Sequence, residues 1–308
     1  MEKNWQELTF REKLAANPSS LCLGLDLHTL GIESGYQGDQ LPWASYIYSV
    51  MERLNERKIP IGAIKPNLGF YERMNRPRGF EKHFKGFTEL DFILNQVNEG
   101  QNLLTNTVTI GDAKRGDIGK SSENYAKDIL HNWDFDAITV SPYMGDDSVL
   151  PFLKDQTKGA YVLCLTSNPG SNRLQTKPMG VSGFPLYLHV AEWLTELTSQ
   201  FPNVGAVVGI SDRPESVFHF QNVIAQFADT PVPLLIPGAG TQGGSVPEII
   251  RILRRYNYPM HLVRINSSSG LTHPWDANNI PVSQDVAADL CVAKIIKTND
   301  EIEHAKAA

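Results

Sequence analysis

Only three cysteines, Cys22, Cys164 and Cys291, occur in the 308 residues. An odd, widely spaced set supports neither a disulfide framework nor a cysteine metal cluster. Cys22 and Cys164 stand inside apolar runs, where a thiol behaves as a small hydrophobe. The eight histidines are dispersed, with no H-x-x-H or HExxH spacing, so no protein-held catalytic metal is expected. His28 and His273 fall near strand ends and could line a site, although a satisfied or exposed histidine is the plainer reading of each. No run of five like charges appears, and the net charge of −6 is the wrong sign for a nucleic-acid surface. A small anion is not excluded, because local geometry decides its binding. The first residues, MEKNWQELTFREKLA, lack an apolar signal region, and no apolar run approaches membrane-spanning length. The expectation is a reduced, soluble, cytoplasmic protein with no nucleic-acid or membrane partner.

What the chain does have is apolar sequence, 41% of its residues, arranged in eight short runs. They fall at 21–27, 59–67, 107–114, 136–142, 160–168, 204–210, 232–238 and 261–268. Each is nearly continuous rather than alternating, as expected of strands buried on both faces. Helical spacing occupies 43–58, 80–100, 121–133, 185–201, 214–229 and 247–256, and a last helix covers 283–307. Pro214 and Pro247 stand near helix starts, where proline is tolerated. This count predicts a (β/α)8 barrel, a TIM barrel forming one domain over residues 1–308. A doubly wound sheet would need a switch point and fewer units. The barrel places polar residues of interest at the C-terminal ends of strands: Asp26, Lys65, Asn67, Asp112, Lys114, Ser141, Ser167, Gly238 and the 266–270 stretch.

The stretch TIGDAKRGDIG at 109–119 packs Asp112, Lys114, Arg115 and Asp117 into one strand end and its turn. Residues two apart on a strand face the same side, so Asp112 and Lys114 are expected together, with Lys65 beside them from the neighbouring strand. Asp117 is expected to be thrown outward near a helix start. At about 4 Å and an effective dielectric near 20, each pair is worth roughly 4 kcal/mol, enough to keep both signs ionised. A lysine flanked by carboxylates suits proton donation better than Schiff-base chemistry, which needs a depressed pKa. Carboxylates there would also repel a substrate carboxylate. Loss of a carboxyl group followed by protonation fits, and a solvated salt-bridge network is the alternative. The glycine-rich turns PGAGTQGG (237–244) and SSSG (267–270) follow the seventh and eighth runs, where barrels commonly bind phosphate through backbone N–H groups. Ser167 and Gln242 supply directional groups able to read a planar, amide-bearing ring.

Along nearly its whole length the sequence resembles orotidine 5′-phosphate decarboxylases of the longer bacterial form. The resemblance rests on GLD at 24–26, KPN at 65–67, DAKRGDIG at 112–119, SPYMG at 141–145, TSNPGS at 166–171, PGAGTQGG at 237–244 and NSSSG at 266–270. It implies decarboxylation of orotidine 5′-phosphate to uridine 5′-phosphate without metal or organic cofactor. Lys114 would protonate C6 of the pyrimidine and Asp112 would stand at the scissile carboxylate. Lys65 would extend the array toward the ribose, and Asp26 would bind a ribose hydroxyl. Ser167 would read the pyrimidine edge, and Gln242 the base and phosphate. Gly238, Gly240, Ser269 and Gly270 would line the phosphate site. Asp117, with Ser121, would reach into a partner's site, making a homodimer. One departure stands out: Ser269 occupies the position where the family usually carries a phosphate-gripping arginine. Arg173 is the candidate substitute, unless a backbone nest suffices. Two alternatives remain at this level, a metal-dependent keto-sugar-phosphate decarboxylase and a non-catalytic pyrimidine-nucleotide-binding homologue. Residues 29–42 and 172–184 have the length and position expected of lids.

Overall fold

The computed structural model describes residues 3–27, 32–33, 42–97, 103–238, 244–275 and 282–308. Eight parallel strands close into a barrel: β1 (Leu21–Leu25), β2 (Ala63–Pro66), β3 (Val108–Arg115), β4 (Ala137–Val140), β5 (Gly159–Leu165), β6 (Val204–Val208), β7 (Leu234–Pro237) and β8 (Val263–Ser267). They neighbour one another in chain order, and β8 returns to β1 through Leu21 opposite Ile265. The expected barrel and all eight strands are therefore present. Their apolar runs are continuous because each strand is covered twice. Leu21, Leu23 and Leu25 pack outward among the helices, while Cys22, Ala63, Val108, Ile110, Ala137, Tyr161 and Leu235 fill the interior.

The helices differ in detail from the periodicity. Those at Pro42–Glu56, Leu186–Thr198, Pro214–Phe227, Val246–Arg255 and Gln284–Ala307 lie where expected. The 80–100 segment is helical only over Lys85–Asn95, because Asn75–Arg76 and His83–Phe84 first pair as a small antiparallel ribbon. The helix expected at 121–133 starts at Gly119 and continues beyond Ala126 as a π-helical turn, Lys127–Asn132. Of the expected lid at 29–42, residues 29–31 and 34–41 lie outside the described residues. The other, 172–184, contributes to a short antiparallel pair, Pro178–Met179 with Phe184–Pro185. No helix among the described residues is long and apolar enough to cross a membrane.

An unanticipated helix, Phe10–Ala16, plugs the N-terminal end of the barrel. Thr9 and Glu12 form its capping box, with the Thr9 N–H donating to Glu12 Oε2 at 2.7 Å. Phe10 meets Tyr161 edge to face at 5.7 Å, and a side chain at Gly159 would collide with the Phe10 ring. Lys13 Nζ lies 2.7 Å from Asp136 Oδ1, both side chains buried, and Asp136 Oδ2 accepts from the Thr109 backbone N–H and hydroxyl. The buried Arg264 guanidinium donates to the carbonyls of Leu14, Asn17, Gly62, His261 and Val263. Spreading the charge over five acceptors offsets much of its desolvation. These groups sit at the end opposite the polar strand termini, so they belong to stability. A Lys13→Met substitution leaves Asp136 buried without its cation and should cost about 3–5 kcal/mol of unfolding free energy. Urea unfolding at pH 7 measures it; a midpoint within error of the parent would contradict this role.

Candidate active site

The uppermost layer of the interior follows from strand parity. Below it, Ala63, Ile110 and Ala137 point inward, so two residues on, Lys65, Asp112 and Thr139 must do the same. Lys65 Nζ lies 2.7 Å from Asp112 Oδ2, and Lys114 Nζ lies 2.6 Å from Asp112 Oδ1. Thr139 Oγ1 donates to Asp112 Oδ1 at 2.9 Å and accepts the Lys114 backbone N–H at 3.0 Å. The side chains of Lys65 and Asp112 are 6% and 10% exposed, whereas that of Lys114 is 51% exposed. One ammonium is thus sealed beneath the carboxylate and the other faces the mouth.

Lys114 reaches Asp112 by a different route from simple alternation. Pairing between β3 and β4 jumps from Gly111–Ile138 to Arg115–Val140, so four steps on one strand oppose two on the other. Lys114 takes up the excess with φ of 46°, a left-handed conformation costly for a side-chain-bearing residue. The hydrogen bond to Thr139 holds this bulge. Thr139 was not singled out by sequence; its inward parity beside Asp112 was the available signal.

Burial opposes ionisation of Asp112, but the attraction and hydrogen bonds of Lys65 and Lys114 overcome it and hold its carboxyl well below the usual range. Burial likewise disfavours the Lys65 ammonium, yet Asp112 and then Asp26 raise its pKa above the ordinary lysine value. The second carboxylate acting on Lys65 within this chain is therefore Asp26. It follows β1, where Gly24 registers with Lys65, and its Oδ1 is buried without a hydrogen-bond partner among the described residues. An orphaned, desolvated acceptor at the mouth is suited to a ligand hydroxyl.

The other predicted residues are distributed as follows. Asp117 lies outside this array, its Oδ1 accepting the Ile118 N–H at 2.7 Å, and Ser121 is exposed in the first turn of Gly119–Ala126. Both belong to the outward loop after β3. Ser167 lies half-buried after β5, its carbonyl accepting from Arg213 at 3.3 Å. Gly238 ends β7 with φ of 101°, and Ser269 and Gly270 open a single turn, Ser269–Thr272, after β8. Gly240 and Gln242 lie outside the described residues, as does His28. His273 is a packed histidine, stacked on Trp43 at 5.7 Å and hydrogen-bonded to the Thr272 hydroxyl through Nδ1. The three thiols are all buried; desolvation pushes Cys22 and Cys291 up to about 12 and Cys164 further, which keeps them protonated and unreactive.

The charge array has a definite pH signature. Asp112 has a native pKa below its unfolded value of about 3.9, so its contribution to stability is full above that and is lost as pH falls through the native value. Lys65 is shifted upward, so its contribution persists at neutral pH and is lost only as pH rises through the raised value. Asp112→Asn should lower stability at pH 7 and flatten the acid limb of the stability curve by about one proton between roughly pH 3.5 and 2. Urea unfolding across that range measures the slope; parallel limbs for mutant and parent would refute it.

Comparison with known proteins agrees with this geometry. Residues 19–209 match the family described as orotidine 5′-phosphate decarboxylase / HUMPS family. An orotidine 5′-phosphate decarboxylase of Variovorax paradoxus (strain S110) is 33% identical over 306 residues, 97% of this chain and 100% of that protein. One from Roseiflexus sp. (strain RS-1) is 31% identical over 263 residues, covering 84% and 88%. The solved structure of Leishmania donovani OMP decarboxylase superposes with a TM-score of 0.71 at 28% identity, covering 98% of this chain and all of that one. A barrel with a lysine–aspartate–lysine cluster in its mouth, matched over most of its length by these proteins, belongs to the orotidine 5′-phosphate decarboxylase / HUMPS family.

Proposed function

We propose that the chain decarboxylates orotidine 5′-phosphate to uridine 5′-phosphate, the carbon-dioxide-releasing step of pyrimidine biosynthesis. The observation that carries this reading is the position of Lys114 Nζ, exposed to the mouth yet 2.6 Å from a carboxylate that Lys65 locks from below. A substrate carboxylate brought against Asp112 meets a fixed negative charge that two cations keep ionised against the cost of burial. Its C6–carboxyl bond breaks, carbon dioxide departs, and the electron pair remains on C6. Lys114 delivers a proton to that carbon and is reprotonated from solvent, to which it is open. The chemistry draws its driving force from interactions that are unfavourable with the bound carboxylate and favourable once it has left.

Asp26 and Lys65 would take the ribose hydroxyls, since the buried Asp26 Oδ1 needs a donor. Ser167 would read the pyrimidine, with Gln242. Gly238, Gly240, Ser269 and Gly270 would contact the phosphate. The reading includes a homodimer in which Asp117 and Ser121 complete the partner's site. Supporting it, the Asp117 carboxylate makes only a local bond among the described residues, and Ile118, Tyr143 and Met144 expose apolar surface on the loops after β3 and β4. Those loops are tied together by Ser141 N–H to the Arg115 carbonyl at 2.6 Å. A cytoplasmic setting suits three free thiols.

Turnover of orotidine 5′-phosphate, followed by the fall in its ultraviolet absorbance in the presence of EDTA, tests the proposal. Activity should persist with the chelator and fall by at least about a thousandfold in Lys114→Ala, the scale of a lost proton donor combined with a lost charge partner. Loss on chelation would point instead to the metal-dependent keto-sugar-phosphate reaction. Binding of uridine 5′-phosphate without turnover would mark a non-catalytic homologue.

A further inference from the structure

A nucleotide bound at this mouth brings a phosphate dianion, which needs a cation that is not already committed. Lys65 and Lys114 are held by Asp112, and Arg115 is paired with Glu72. The loops after β5 to β8 contain only three lysines and arginines: Arg173, Lys177 and Arg213. The turns after β7 and β8 contain none, and Ser267, Ser268 and Ser269 offer hydroxyls without charge.

Arg213 differs from the other two in being built into the rim. It immediately precedes the helix Pro214–Phe227 and is half-buried. Its Nε donates to Ser211 Oγ at 3.3 Å and its Nη2 to the Ser167 carbonyl at 3.3 Å. Ser211 is itself buried, its N–H donating to Ser216 Oγ at 2.9 Å. The guanidinium plane is thus pinned along one edge, bridging the loops after β5 and β6. Nη1 makes no hydrogen bond among the described residues and is only loosely ion-paired, to Glu215 Oε1 at 3.8 Å on a half-exposed side chain. Arg173 and Lys177, by contrast, are exposed, with no side-chain hydrogen bond or ion pair among the described residues. Either would have to be ordered by the ligand at a cost in rotamer entropy.

The neighbouring turn brings a phosphate site close to Arg213. The Ile210 N–H donates to the Pro237 carbonyl at 3.3 Å, and a side chain at Gly244 would press on Ile210 Cγ2 at 3.2 Å. The base of the β7 turn therefore rests on the residue three before Arg213. Gly209 permits the strand approach that sets this corner, since a Cβ there would meet the Ser167 nitrogen at 2.6 Å. We propose that Arg213 is the phosphate-recognition residue of this site, offering the Nη1 edge of a preorganised guanidinium to the 5′-phosphate of the nucleotide, which would displace the loose Glu215 contact. The assignment rests on the proposed pyrimidine-nucleotide chemistry and takes the role from Arg173. Because the same group contacts Ser167, it also couples phosphate seating to the loop proposed to read the base.

Calorimetric titration of uridine 5′-phosphate and of uridine into the parent protein, Arg213→Ala, Arg213→Lys and Arg173→Ala separates the possibilities. Arg213→Ala should weaken uridine 5′-phosphate by about 30-fold or more, the scale of a lost charge-assisted contact, and change uridine less than twofold. Arg213→Lys, which keeps the charge without the fork, should fall between. Arg173→Ala should leave both ligands unchanged. Equal weakening of both ligands in Arg213→Ala would make Arg213 a brace for the Ser167 loop and overturn the assignment. Selective loss in Arg173→Ala, or none in either alanine variant, would overturn it as well. If Arg213→Ala unfolds, the phosphate-to-nucleoside affinity ratio of Arg213→Lys decides the matter, an unchanged ratio being fatal. A parent protein that shows the Arg213 effect but does not turn over orotidine 5′-phosphate would defeat the decarboxylase reading and leave the phosphate assignment standing. A parent that binds neither ligand would defeat both.

Discussion

Asp112 is a carboxylate taken almost wholly out of water, and the mouth of the barrel is arranged around keeping it charged. Isolated, it would protonate; burial alone drives it that way. Lys65 from β2 and Lys114 from its own strand prevent this, each within hydrogen-bond distance. The carboxylate consequently fixes the rest. It sets the relation of β2 to β3, and it anchors the Thr139 hydroxyl that ties β3 to β4. It also supports a left-handed Lys114 that no local preference favours. Strain at that residue is held by two hydrogen bonds, from its N–H to Thr139 and from its ammonium to Asp112, and its effect is to place an ammonium over the carboxylate and facing outward. A site prepared in this way has its charges in place before any ligand arrives, the condition under which electrostatic preorganisation gains over water.

The two ends of the barrel use buried charge for different purposes. At the N-terminal end, Lys13 is paired with Asp136, and Arg264 donates to five carbonyls. At the other end the partnering is incomplete. Asp26 has a buried oxygen without a donor among the described residues, Lys114 is half exposed, and one edge of Arg213 is held only by a 3.8 Å ion pair to Glu215. Unsatisfied polarity costs stability wherever it occurs, and at the mouth it falls on ionisable groups, which a ligand could satisfy.

Sequence alone determined the barrel, because strands covered on both faces must be apolar throughout and their spacing admits helices between them. It also placed Lys65, Asp112 and Lys114 at the same end, since position along a strand is a local property. What it did not contain was register. The N-terminal plug reads as polar because only Phe10, Lys13 and Leu14 of its seven residues turn inward. The segment 80–100 has helical spacing throughout, yet His83–Phe84 pairs with Asn75–Arg76 before the helix begins. Asp117 lies past the bulge on the outward loop, and within the chain the second carboxylate acting on Lys65 is Asp26, because Gly24 and Lys65 share a register across adjacent strands. Thr139 and Arg213 acquire their roles only from partners 27 and 46 residues away. Periodicity reports which face of an element is buried and is written residue by residue. The energy of a charge or a hydrogen bond depends on what stands opposite, and that was decided only when distant strands closed into a ring.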